Sequence, residues 1–356
     1  MWLAFKEFFI ERSEDLVDFN DYVGGKKLIK VIGSVVVAYL LVCVLIGFYW
    51  SFEPDAFDVS EGTKALTGDL GRQEVVGSYT TATMINLADR LVNKESFLSG
   101  GYISNDVLPP GLWLDNIKNW EFGVLVQIRD AARWMRKDTS RSQSQSNEDK
   151  DLIIAEPQFN FDNSSWLLPS TESEYKKAIK ALTSYLARLS DDNQQDAQFY
   201  ARADNLRNWL TDVETRLGSL SQRLSESVGK RQFNVGLAGE TAAQQSTPSL
   251  EESELKTPWL EIDDVFYEAR GTAWALIHLL KAVELDFDQV LQDKNAAVGL
   301  RQIIVELEAT QKTVWSPMIV NGSGFGMLAN HSLTMASYIS RANAAIIDLR
   351  SLLAQG

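Results

Sequence analysis

An all-α protein with one membrane-spanning segment is the fold class this sequence predicts, and three observations predict it. Residues 31–50, VIGSVVVAYLLVCVLIGFYW, run for twenty positions without a charge. Beyond them, apolar residues recur at spacings of three and four, the period of an amphipathic helix. No convincing strand pair and no 20–50-residue repeat interrupts that pattern.

Twenty helical residues span roughly 30 Å, the thickness of the hydrocarbon layer. Tyr49 and Trp50 close the segment with rings suited to the headgroup level. Lys26, Lys27 and Lys30 precede it, whereas Lys64 is the one basic residue in the twenty that follow. The positive-inside rule therefore puts the N-terminus in the cytoplasm and residues 51–356 outside. A cleaved signal peptide would need a small-residue site after its apolar core, and YWSFEPDAF is bulky. Residues 1–30 read as a short cytoplasmic stub. Its apolar positions 2, 5, 8, 9, 16 and 19 suit a helix along the inner leaflet.

The formal net charge is −14, of which −13 falls beyond residue 30. That excludes a nucleic-acid partner, whose phosphates need a basic surface. It also disfavours peripheral contact of the exported part with an anionic bilayer. Cys43, in the membrane segment, is the one cysteine, so no intrachain disulfide and no soluble thiol nucleophile exist.

Residues 51–78, acidic and Gly-rich, read as a tether. A helical region, 79–229, follows. Met84, Leu87, Ala88 and Leu91 share one helical face; Ile117, Trp120, Val124, Ile128, Ala131 and Met135 share another, with Asp115 as its cap. Residues 138–151 are polar and aperiodic, and EPQFNFDNSSWLLPS reads as irregular or briefly extended. Thr171 and Glu174 form a capping box for a helix over 170–190. The strongest pattern is a long amphipathic helix, 195–228. Phe199, Ala203, Leu206, Leu210, Val213, Leu217, Leu220 and Leu224 are spaced 4, 3, 4, 3, 4, 3 and 4, a heptad seam. Trp209 widens the seam and favours packing within the chain. Residues 230–257 read as a mobile linker. Thr257 and Pro258 then open the C-terminal helices, 258–356, expected on the same bundle. The run near 273–283 is apolar all round and reads as a core helix. A further amphipathic helix covers 296–315. The last carries Met335, Ile339, Ala342, Ile346, Leu349 and Leu353.

Chemistry has few carriers here. His278, amid AWALIHLLKAV, reads as a satisfied core histidine, and His331 as a turn partner at a helix start. A Ser-His-Asp site would need one of them. No His pair has zinc-ligand spacing, so neither metal nor cofactor is expected. Carboxylates are the weak catalytic candidates: Glu121, Asp106, Asp115 and Glu95. Glu95 with Ser96 is similar to the Glu-Ser of lytic transglycosylases, but that family's downstream Gly-Leu-Met-Gln element is missing. Glu121, between Trp120 and Phe122, is the carboxylate expected to have a shifted pKa if the stretch lines a site; in a structural role it is expected as an exposed charge near a helix N-terminus. Trp113, Trp120 and Trp134, spaced 7 and 14 apart, are expected on one helix stripe. Residues 100–123 thus read as a structural buckle, its ligand-facing alternative being a wall of carboxylates and tryptophans.

Four long strings, SNDVLPPGLWLDNIKNWEFGVLVQIRDAAR, SRSQSQSNEDKDL, AEPQFNFDNSSWLLPSTESEY and DAQFYARADNLRNWLTDVETRLGSLSQRLS, resemble a family of proteobacterial envelope proteins, domain-of-unknown-function family 2333. The resemblance spans nearly the whole chain. It implies a Gram-negative inner-membrane protein with a periplasmic domain, and brings no activity, cofactor or catalytic residue with it. The sequence then supports two functions. The first is a non-enzymatic scaffold or interaction protein of the cell envelope. It would hold the lipid bilayer through residues 31–50 and bind an envelope partner or a second copy; Trp113, Trp120, Trp134, Leu206, Leu210, Leu217 and Leu220 are its structural or interaction residues, the leucine seam packing either within the chain or between chains. The alternative is a carboxylate-dependent glycan hydrolase or glycan-binding protein using residues 95–123.

Overall fold

A computed structural model describes residues 25–93, 101–141, 147–191, 196–233, 252–316, 318–323 and 327–355. The chain forms two compact units, one ending at Ser51 and one running from Phe52. In the first, helix α1 is Gly25–Trp50. Its stretch Leu28–Trp50 is long and apolar enough to cross a membrane. Val35, Leu41 and Leu45 stand exposed, unlike the side chains of a buried core helix.

Among its described residues, the second unit is built of helices and their connecting loops, with one short strand pair. Helices α2 (Val59–Asp69) and α3 (Ser78–Val92) lead in. The tether expected over 51–78 is corrected by α2, which Asp58 caps through Glu61 N–H at 2.8 Å. Its buried face is Val59, Thr63 and Thr67, mostly threonine, so hydropathy did not reveal it. Helix α4 (Asp115–Trp134) continues into a π-helical turn, Met135–Thr139. Helix α5 (Leu152–Phe159) runs through Pro157, where the sequence suggested irregular chain. Helix α6 (Thr171–Leu189) is capped by Ser170, which accepts from Ser173 N–H. The cap thus lies one residue before the expected Thr171, whose hydroxyl donates instead to the Asp162 and Ser165 carbonyls.

Helix α7 (Ala203–Ser225) starts eight residues later than expected. Phe199 precedes it and packs on Trp134 and Phe287. Leu206, Leu210, Leu217 and Leu220 are all buried, and α7 packs chiefly on the last helix, α11 (His331–Ala354). Within the expected linker, β1 (Lys230–Phe233) pairs antiparallel with β2 (Glu252–Leu255); residues 234–251 lie outside the described set. No side-chain cap opens at Thr257. A 3₁₀ turn, Trp259–Glu261, leads into α8 (Ile262–Asp286). Helices α9 (Asp288–Asp293) and α10 (Ala297–Ala309) follow.

Helix α8 is the centre of the core. Ala269, Ala273, Trp274, Leu276, Leu280 and Val283 are all buried, against α4, α3 and α10. Helices α4 and α8 run the same way: Asn119 bonds Asp264, Gly123 faces Thr272, and Trp134 stacks on Phe287. Two glycines permit that packing. A Cβ on Gly271 would collide with the Trp120 carbonyl, and one on Gly123 with the Glu268 carbonyl. Backbone thus meets backbone at the crossing, closer than the usual 8–10 Å between helix axes allows for larger residues.

Candidate functional site

Residues 101–123 fold around Glu121. Trp120 and Val124 face the core, and the intervening carboxylate turns under the preceding loop. Glu121 is fully buried. It accepts from Ile103 N–H at 3.1 Å, Ser104 N–H at 2.9 Å and Ser104 Oγ at 2.8 Å. This corrects the expectation of an exposed first-turn charge: Glu121 lies nearly two turns into α4 and binds a loop in place of solvent. Such charge-assisted bonds offset the desolvation of a buried carboxylate.

The loop is fixed further along. Asn105 Nδ2 donates to the Ser165 carbonyl at 3.0 Å and to Glu172 Oε2 at 2.9 Å. Lys118 Nζ donates to the Asp106 carbonyl at 3.3 Å. The Asp106 carboxylate occupies the space a Cβ on Gly111 would fill, so Pro-Pro-Gly closes tightly over it. Asp115 is the first residue of α4, not its cap; it is exposed and accepts from Asn116 N–H. It approaches Asp263 and Asp264 at the start of α8. Burial, then repulsion from Asp115 and its other acidic neighbours, raises the Asp264 carboxyl to about 6. Glu95 lies outside the described residues.

The tryptophans do not form one stripe. Trp113 sits in a 3₁₀ turn, Gly111–Trp113, and is half exposed. Trp120 is buried with its ring 5.1 Å from that of Trp274. Trp134 is buried too, stacked 5.1 Å from Trp209, with Nε1 donating to the Asn205 carbonyl at 2.8 Å. A spacing of seven continues a stripe only while the helix continues, and α4 begins two residues after Trp113.

Three of the buried polar centres among the described residues lie on α8. His278 stacks 4.1 Å from Phe57, accepts from Phe57 N–H at Nε2 (3.1 Å), and places Nδ1 2.7 Å from the Trp274 carbonyl. Burial lowers its pKa to about 4. Asp286 accepts from Gly77 N–H at 2.6 Å and Thr80 N–H at 2.7 Å, so a side chain of α8 caps α3. Burial raises it to about 6 against those bonds. Arg270 is held by Glu53 at 2.6 Å and by the Thr310, Gln311 and Lys312 carbonyls. Sequence reasoning singled out neither Asp286 nor Arg270. Each sits among other charges in the sequence, Glu268 near Arg270 and Glu284 and Asp288 around Asp286, so no local signal set them apart. His331 opens α11 and accepts from Val320 N–H at Nδ1, 3.0 Å.

Beside Arg270 lies an open cleft of about 370 Å³, lined by Phe266, Thr334, Met335 and Tyr338, with Trp315 at its edge. Trp315 is 92% exposed. Among the described residues, no group of three or more His, Cys, Asp or Glu is placed to hold a metal ion.

These features define a class: a helical unit filled by its own aromatic core, following one apolar helix fit to cross a membrane. Residues 24–356 match the family described as an uncharacterized protein conserved in bacteria, domain-of-unknown-function family 2333, and the chain belongs to that family. No curated protein matches the chain. No solved structure matches it either.

Proposed function

We propose that this chain is a single-pass inner-membrane protein whose helical unit stands in the periplasm as a non-enzymatic docking platform for another envelope protein. The cleft beside Trp315 carries the reading. A large aromatic side chain left exposed at the edge of an apolar hollow is the arrangement from which interfaces draw most of their binding energy. The apolar helix, with Lys26, Lys27 and Lys30 ahead of its uncharged stretch, supports the anchor and its orientation. Glu121, occupied by the 103–104 loop, supports a structural role for residues 101–123.

The test is a photo-crosslinking amino acid in place of Trp315, used in native membranes. A discrete protein adduct is expected there and none from Val298, exposed at the far end of α10. Trp315→Ala should release the captured protein without lowering the melting temperature. No adduct at 315, or the same adducts from both positions, overturns the platform. A second reading, glycan binding, draws on Asp264, raised to about 6 beside Asp115, which itself follows the half-exposed Trp113 by two residues in the chain. It requires glycan fragments to perturb Trp113 fluorescence and Asp264→Asn to abolish that response.

A further inference from the structure

The folded unit gathers much of its exposed apolar surface at one end. Because α4 and α8 run the same way, the loop before α4 and the turn before α8 come to that end together. The first presents Leu108, Leu112 and Trp113; the second presents Trp259 and Leu260, each about three-quarters exposed. A third loop joins them through the Asn105–Ser165 hydrogen bond, and in it Leu168 is 97% exposed.

The chain enters the folded unit at this same end. Glu53 is fixed on Arg270 and Phe57 on His278, so this segment follows α8 in its own direction. Traced backwards from Glu53, it heads for the α8 N-terminus. Trp50, the last residue of α1, is three residues before Glu53, a reach of about 10 Å at most.

We propose that these three loop tips form a rim seated in the headgroup–acyl boundary of the bilayer that α1 crosses. The proposal rests on the membrane-anchor reading above. Leucine and tryptophan are the side chains that partition to that depth, and the short link to Trp50 keeps them within reach of it. Asp115, Glu261, Asp263 and Asp264 stand just behind the tips. They rule out attraction to an anionic surface and keep the seat shallow. Repulsion by the net charge is screened beyond about 10 Å, whereas the rim acts by contact.

The test uses the full chain carrying Cys43→Ser, reconstituted in phosphatidylethanolamine–phosphatidylglycerol vesicles. Nitroxide labels are placed singly through Leu112→Cys, Leu168→Cys and Leu260→Cys at the rim. Val298→Cys on α10 is the aqueous control and Val37→Cys in α1 the membrane control. Collision with a water-soluble nickel chelate should fall several-fold at Val37 and at all three rim positions relative to Val298. The fall should persist at high salt, since apolar contact is not screened. Protection at Val37 with rim positions as accessible as Val298 overturns the rim and leaves the anchor standing. An accessible Val37 overturns the anchor, and the rim with it. Rim protection that survives transfer to bilayer-free amphipol marks a protein contact and overturns the lipid seat.

Discussion

Glu121 shows how far one side chain departs from what its neighbours in sequence suggest. Glu121→Gln keeps the shape but turns an amide N–H₂ toward donors, so a loss of about 2 kcal/mol is expected, within the range for unsatisfied buried groups. Trp120→Ala should cost about 3–5 kcal/mol, as for buried aromatics, and half-exposed Trp113→Ala under about 1 kcal/mol. Denaturant unfolding of the three variants checks the ordering; a silent Glu121→Gln would remove the strut. Asp286 and His278 set a second expectation, in pH. The folded pKa of Asp286, about 6, lies above its ordinary 3.8. Its contribution is therefore full below pH 3.8 and lost as pH rises through 6, a change of about 3 kcal/mol. The folded pKa of His278, about 4, lies below 6.5. Its contribution is full above 6.5 and lost as pH falls toward 4, again by about 3 kcal/mol. Between pH 4 and 6 the two slopes oppose. Asp286→Asn should leave a protein that loses stability more steeply on acidification than the parent, and His278→Gln one that loses it less steeply. Unfolding midpoints across that range, running parallel in all three proteins, would refute both assignments.

At the scale of elements, the α4–α8 crossing is the joint that tolerates least change. Gly271→Ala drives a methyl into the Trp120 backbone carbonyl, which cannot rotate away as a side chain could. A loss of about 3 kcal/mol is expected, with Gly299→Ala, which has only ordinary contact near it, as the control. Thermal melts of the two variants decide it. The glycines were visible in the sequence, but their meaning was not, because close approach is a property of two helices and periodicity describes one. The long helices were legible for the opposite reason: α7, α8 and α11 each repeat an apolar face within a single segment. Helix α2 was not, since threonines bury without a hydropathy signal. The heptad register on α7 placed Leu206, Leu210, Leu217 and Leu220 on one face but could not say where that face docks; the structure brings it against α11. Among the candidate site residues, Glu121 stood out from its aromatic neighbours, while its partners Ile103 and Ser104 lie 18 and 17 residues away and carry no motif.

For the whole molecule, orientation is the property on which the proposed function depends. A reporter active only in the periplasm should work when fused after Gly356 and fail when placed ahead of Lys26, and the reverse pattern would undo the periplasmic platform. Long-range ties give the folded unit another property, one of time. Glu53–Arg270 and Phe57–His278 join residues 217 and 221 positions apart, and Asp286 reaches back 206 and 209 positions to α3. A ribosome making roughly 5–20 residues per second needs on the order of ten to forty seconds to supply those partners. Through that interval the segment from Phe52 to Val92 has been made and cannot close: its helix lacks the carboxylate that caps it, and its lead-in lacks the helix it lies along. A chain ended before Ile262 should therefore remain protease-sensitive however long it is given to fold, because the opening segment of this unit is completed by its last third.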